Sequence, residues 1–228
     1  MINVPMLFLA GAGAWLTVAS TQQPVAVVEE VIGHPAGAEF MDYVALGQII
    51  RLGREDAIVL GYLTSCWRET ISGGTVIVGN EQSEVSGGHV TRTKVVCDGG
   101  KMMLNAELAN KSGTMVLRGS PHPSKQTVAP RPQFTLYGLS PVIEAGDAEA
   151  IVIERVDVPG ERYEVAVGSP ALTHGAFFDL AKADIVLVAG GIYRAKAGTR
   201  QIVFKIDTDA KPGAAPIVSR LLRLPPAS

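Results

Sequence analysis

Side chains able to act as nucleophile, base or metal ligand are few in this sequence, and they are scattered. The four histidines occupy unrelated settings: His34 precedes Pro35 in a turn, His89 opens a strand, His122 lies among prolines, and His174 precedes Gly175 in a loop. A hydrolase needs a nucleophile, a base and an orienting group brought together, and neither GxSxG nor HExxH occurs. Ser140, in Gly138-Leu139-Ser140-Pro141, lacks the second glycine of a nucleophile elbow and reads as a turn serine. Three carboxylate pairs remain. Glu29 and Glu30 are adjacent, so in a strand they project to opposite faces and cannot share a proton. Glu55-Asp56 reads as a hairpin turn after Arg54. Asp207 and Asp209 share a face but lack a full calcium loop, so they read as a solvated strand end. Cys66 and Cys97 have neither CxxC spacing nor a clustered histidine, which argues against zinc and thioredoxin-like chemistry. The expectation is a noncatalytic chain with no metal and no cofactor. Tyr62, Trp67 and Tyr163 are the aromatic side chains on which a ligand could stack, with core packing as the competing reading, above all for Trp67 beside Cys66.

The elements that must position these residues follow from composition and pattern. In 228 residues, Lys+Arg number 20 and Asp+Glu 22, a formal net charge of -2, so no basic field supports nucleic-acid binding. Hydrophobic residues make up 47% and charged residues only 18%, with 25 glycines and 14 prolines punctuating the chain, which points to β structure with an ordinary core. Met6 to Ala19 carries no charge and is followed by Ser20, Thr21, Gln22 and Gln23. Such a stretch is shorter than the roughly 20 residues a span needs and suits a secretory signal, although no Lys or Arg precedes it. Residues 1–20 are expected to be a signal peptide cut after Ala19 or Ser20, the alternative being a buried N-terminal element. No later stretch resembles a transmembrane span. Export to the periplasm implies an oxidising space, where Cys66 and Cys97 are expected to be bonded, adding about 3 to 4 kcal/mol in the chain-entropy model.

From Val25, short apolar runs alternate with Gly, Asp, Asn and Ser breaks. Strands are expected at Pro24–Ile32, Val44–Leu52, Ala57–Thr64, Thr75–Val78, His89–Val96, Lys101–Leu108 and Thr114–Arg118. In Ala57–Thr64, Ile58, Leu60 and Tyr62 fall on one face and Val59 and Leu63 on the other, which suggests burial on both sides. A small repeat pairs Ile71-Ser72-Gly73-Gly74-Thr75-Val76 with Val85-Ser86-Gly87-Gly88-His89-Val90, each Gly pair reading as a turn before a strand. Residues 119–133, with prolines at 121, 123, 130 and 132, read as an extended linker between two domains, 24–118 and 134–210. In the second, strands at Phe134–Tyr137, Ala150–Val156, Glu161–Val167, Ala183–Val188, Gly191–Ala195 and Gln201–Ile206 match an immunoglobulin-like β-sandwich by spacing. Residues 211–228 form a C-terminal tail, in which Ile217–Leu224 reads as a short helix or irregular packing segment with Arg220 and Arg223 on its polar side, the alternative being a last strand.

The run Val44-Ala45-Leu46-Gly47-Gln48-Ile49-Ile50-Arg51-Leu52-Gly53-Arg54-Glu55-Asp56-Ala57-Ile58-Val59-Leu60 resembles a FecR-type periplasmic domain. Tyr62-Leu63-Thr64-Ser65-Cys66, Gly73-Gly74-Thr75-Val76, Ser83-Glu84-Val85-Ser86-Gly87-Gly88 and Val95-Val96-Cys97-Asp98-Gly99-Gly100 resemble its two-cysteine variety in exported bacterial proteins. The resemblance covers Val25 to Arg118. Pro159 to Val167 and Leu187 to Ala195 resemble fibronectin III or immunoglobulin-like modules appended to such domains. Together these imply an all-β protein, a FecR-like β domain followed by an immunoglobulin-like β-sandwich. They also imply a role in envelope signal sensing through a protein partner, with a membrane signalling protein as the candidate. The sequence has no cytoplasmic anti-sigma segment, which argues against direct sigma-factor control. The alternative function is a glycan or peptidoglycan binder using Tyr62, Trp67 or Tyr163. An envelope hydrolase would require one of the dispersed histidines to meet an acid and a hydroxyl.

Overall fold

A computed structural model describes residues 23–101, 130–168, 173–174 and 176–225. The expected signal peptide, the strand at Thr114–Arg118, all but the first residue of Lys101–Leu108, and most of the Pro-rich stretch with His122 lie outside the described residues. What is described is all-β. Six strands form the first sheet: β1 (Pro24–Ile32), β2 (Tyr43–Ala45), β3 (Ile49–Tyr62), β4 (Trp67–Ile77), β5 (Glu84–Ser86) and β6 (His89–Lys94), in the order β2-β1-β3-β4-β5 with β6 also on β4.

Alternation sets what each face of this sheet buries. On β1, Ala26 and Val28 enter a core with Ile50, Ile58, Leu60, Tyr62, Ile71 and Val76. The intervening Val27 and Glu29 are buried too, on the opposite face. β3 repeats the pattern, with Val59 and, just past the strand's end, Leu63 also buried, as the two-faced apolar run predicts.

Two differences from the sequence pattern share one cause. Glu55-Asp56 does not end a strand. β3 runs through it with a bulge, Leu52 facing Gly74 and Ala57 facing Ser72, and Asp56 accepts the Gly53 N–H at 2.8 Å and the His34 N–H at 3.1 Å. Nor is Gly73-Gly74 a turn. It is a kink inside β4, where that strand exchanges β6 for β5 as its partner. A Cβ on Gly88 would lie 2.0 Å from the Gly73 carbonyl oxygen, and one on Gly74 would lie 2.4 Å from that of Ser86. The repeated Gly pairs therefore pack backbone to backbone, one in the kink and one in the β5–β6 turn.

The remaining strands form two further sheets around one core. The first contains β7 (Phe134–Gly138), β9 (Ala150–Arg155), β10 (Arg162–Ala166), β13 (Ile192–Ala197) and β14 (Arg200–Lys211), in the order β10-β9-β13-β14-β7. The second contains β8 (Val142–Glu144), β11 (Thr173–His174), β12 (Phe177–Asp179) and β15 (Leu221–Leu222), in the order β11-β12-β8-β15. Ile151, Ile153, Tyr193, Phe204 and Ile206 from one sheet and Ile143, Phe178 and Leu222 from the other share the core, which makes this a β-sandwich. The apolar run Ala183–Val188 is not a strand. It passes through a turn with Asp184 at φ 54 and then an extended segment, where Leu187 N–H bonds the Leu139 carbonyl at 2.8 Å.

Segment 217–224 combines a short helix and a last strand. A 3-10 turn at Ile217–Ser219 leads into β15, which pairs parallel with β8. Arg220 is not on a polar face; it is 1% exposed.

Candidate binding cleft at the junction of the two units

A third apolar cluster joins the first sheet to the sandwich. Val27, Met41, Leu63 and Cys97 from the first unit meet Val142, Ile217, Val218 and Leu221 from the second. Buried charges fix the connecting segment on both sides. Glu29, 5% exposed, accepts the Val218 N–H at 2.6 Å and the Arg68 Nε–H at 2.8 Å. Gly61 makes room for this contact, since a Cβ there would lie 2.6 Å from Glu29 Oε1 and 3.0 Å from Val218 Cβ. On the sandwich side, Arg220 donates to both oxygens of Asp179 at 2.6 and 2.9 Å. It also donates to the Ser140 and Ala214 carbonyls, each at 2.8 Å. A buried guanidinium tolerates loss of water only when its donors are so satisfied. Arg223 adds a third tie, bonding Glu144 at 2.7 Å and lying 4.1 Å over the Tyr43 ring. Burial raises the Tyr43 hydroxyl pKa far above its ordinary value.

Beside this joint opens a cleft of about 640 Å³. Val95 and Val96 form one wall, Tyr137 with Asp207, Asp209 and Lys211 another, and Pro212, Gly213, Ala215 and Pro216 with Ser219 the end. Ser219 Oγ donates to the Val96 carbonyl and anchors the valine wall. The opposite wall follows from a strand irregularity. β14 and β7 pair in register as far as Ile206 and Leu136, then resume at Lys211 and Gly138, so residues 207–210 bulge where β7 contributes only Tyr137. Bulges re-aim side chains in this way beside functional sites. Asp207 accepts the Asp209 N–H at 2.9 Å within the bulge. Val96 is 62% exposed, so the cleft presents an apolar wall to solvent beside two carboxylates and an ammonium.

The Cys66–Cys97 disulfide is formed between residues 31 positions apart in the sequence, with Cα atoms 5.6 Å apart. It ties the β3–β4 turn to the chain leaving β6, just before which Val95 and Val96 line the cleft. The three candidate aromatics are not brought together. Tyr62 is 0% exposed and bonds Ser83 at 2.8 Å, which removes its ring as a stacking surface. Burial pushes its hydroxyl pKa up to about 12. Trp67 is half-buried against the first core, with Lys94 Nζ 4.9 Å over its ring. Tyr163 is half-buried against the sandwich core, its hydroxyl 3.4 Å from Glu161. That carboxylate belongs to a polar knot. It accepts from Tyr193 at 2.8 Å and Arg155 at 3.2 Å, and Arg155 also bonds Asp157 at 2.9 Å, holding the Asp157 carboxyl below its ordinary pKa.

Ser140 Oγ donates to the Ile185 carbonyl at 2.7 Å and is buried, so it is a structural serine. Among the described residues, no three His, Cys, Asp or Glu side chains cluster in a way that could hold a metal ion, and no helix is long and apolar enough to cross a membrane. Sequence reasoning missed Glu29, Asp179 and Arg220 as the joint. Only the pairing of residues as far apart as 29 and 218 reveals them, and no local spacing encodes it. Compared with protein-family models, curated proteins and solved structures, the chain matches none.

Proposed function

We propose that this chain is a noncatalytic binding or adaptor protein of the bacterial periplasm, acting in envelope signal sensing through contact with a protein partner. The observation that carries this reading is the cleft, whose walls come from both units and whose exposed surface combines Val96 with Asp207, Asp209 and Lys211. An exposed valine beside charges of both signs suits a protein segment. The disulfide supports an oxidising compartment. The FecR-type resemblance of Val44 to Leu60 and of the two cysteine-bearing runs supports a role in signalling, with a membrane signalling protein as the partner. The rival reading as a glycan or peptidoglycan binder loses its basis in Tyr62, whose ring is enclosed.

A photocrosslinking residue placed at Val96 in cells tests the proposal against the same residue at Val158, an exposed valine elsewhere. One envelope protein captured from Val96 and not from Val158 is the expected result. Equal capture from both positions, or none from Val96, contradicts it.

A further inference from the structure

The outer face of the five-stranded sheet carries a second feature, independent of the cleft. Alternation sends Ile151, Ile153, Tyr193, Ala195, Ile202 and Phe204 into the sandwich core and the residues between them outward. Four of those outward residues are cations: Arg162 on β10, Arg194 and Lys196 on β13, and Lys205 on β14. Three are carboxylates: Glu154, Glu164 and Asp207, the last of which lies in the cleft wall and not in the trough. Register places Arg162 and Arg194 on either side of Glu154. Glu154 bonds Arg194 at 3.4 Å and Glu164 bonds Arg162 at 3.1 Å, both in exposed settings where such pairs hold little energy. Lys196 and Lys205 form no ion pair among the described residues.

Across β10, β9 and β13 the row runs Arg162, Glu154, Arg194, and Lys196 adds a further cation on the same face. Three of these cations and one carboxylate, Glu154, line a trough of about 330 Å³, so cations are in excess there. Small or short residues floor it, Ala150, Val152 and Gly198, while Arg162, Arg194 and Lys196 rise along it. Guanidinium groups bind phosphate oxygens in pairs, and a lysine adds a point charge.

We propose that this trough binds a linear, phosphate-bearing polyanion. No aromatic ring lines the trough, so the stacking that holds single-stranded nucleic acid is missing. None of the large exposed apolar side chains, Val96, Val158, Val186 and Val188 among them, lines it either, so it lacks the residues that would enter a bilayer.

The test uses the full chain and inorganic polyphosphate as probe, measuring binding by calorimetry across a salt series. The wild type should bind with an affinity that falls as salt rises. The double variant Arg194→Gln/Lys196→Gln should bind about tenfold or more weakly with a shallower salt slope. The matched variant Arg51→Gln/Arg54→Gln, which removes two exposed cations from β3, should bind as the wild type does. Thermal melts of both variants verify that they fold. Absent wild-type binding at low salt, equal weakening by both double variants, or tighter binding to phosphatidylglycerol vesicles or a single-stranded oligonucleotide than to polyphosphate would each overturn the proposal.

Discussion

The cleft and the trough are assembled by opposite means. The trough uses alternate residues of one sheet, each placed by the strand that carries it. The cleft needs the chain after β6, the bulge of β14 and segment 212–220, and nothing local brings these together. Three long-range ties do so: Val218 to Glu29, Arg220 to Asp179, and Ser219 to Val96. A site built on one sheet survives loosening of the joint, and a site built across the joint does not.

Removing the Arg220 guanidinium is the strongest way to separate the two. Arg220→Met leaves Asp179 buried without its partner, and loss of one member of a buried pair costs about 3 to 5 kcal/mol. The urea midpoint should fall accordingly, and crosslinking from Val96 should be lost. Polyphosphate binding by whatever fraction remains folded should be unchanged. Adding Asp179→Leu should recover part of the stability, because the unpaired charge is gone.

Loss of the disulfide comes next. Cys66→Ser with Cys97→Ser should cost about 2 to 4 kcal/mol in thermal or denaturant unfolding. The damage should concentrate in the first sheet and the valine wall, not the sandwich. Gly61→Ala attacks the joint alone, since the new methyl group meets Glu29 and Val218. About 1 to 3 kcal/mol is expected, as for overpacking in a core. The trough variant Arg194→Gln/Lys196→Gln should shift stability by only about 0.5 kcal/mol, because its ion pair is exposed.

Proton linkage acts on both units, at both ends of the pH scale. Asp56 in the first sheet is held below its ordinary pKa of 3.8 by the Gly53 and His34 N–H groups, and Asp157 in the sandwich by Arg155. Their stabilisation is present above the unfolded value and is lost as pH falls through the lowered folded value. Tyr62 is raised from 10.0 to about 12 by burial, so its contribution is complete below 10 and disappears between those values. Burial raises the Tyr193 hydroxyl of the sandwich as well, so both units should lose stability as pH rises above 10, and Tyr62→Phe should flatten the decline between pH 10 and 12.

What the sequence conveys divides along the same line as the two sites. The alternation in Ala150–Val156, Glu161–Val167 and Gly191–Ala195 places Glu154, Arg162 and Arg194 on one face without any tertiary knowledge, while Lys196 lies just past the strand expected there. The two-faced apolar run Ala57–Thr64 correctly signals a strand buried on both sides, though not what covers its second face. Turn residues mislead where backbones pack closely. Gly73-Gly74 has the composition of a turn, yet its glycines are needed because Ser86 and Gly88 come within reach of the missing side chains. Arg220 misleads for a similar reason. An arginine between apolar residues reads as a polar edge until Asp179, Ser140 and Ala214 are known to surround it.

Amide hydrogen exchange at Val218 tests most directly whether segment 214–225 locks the two units together to form the cleft. Its N–H is buried against Glu29, so it should exchange as slowly as core amides such as Leu60 and Phe204, through global unfolding alone. Exchange at the rate of a fraying segment, with those core amides still protected, would contradict the account.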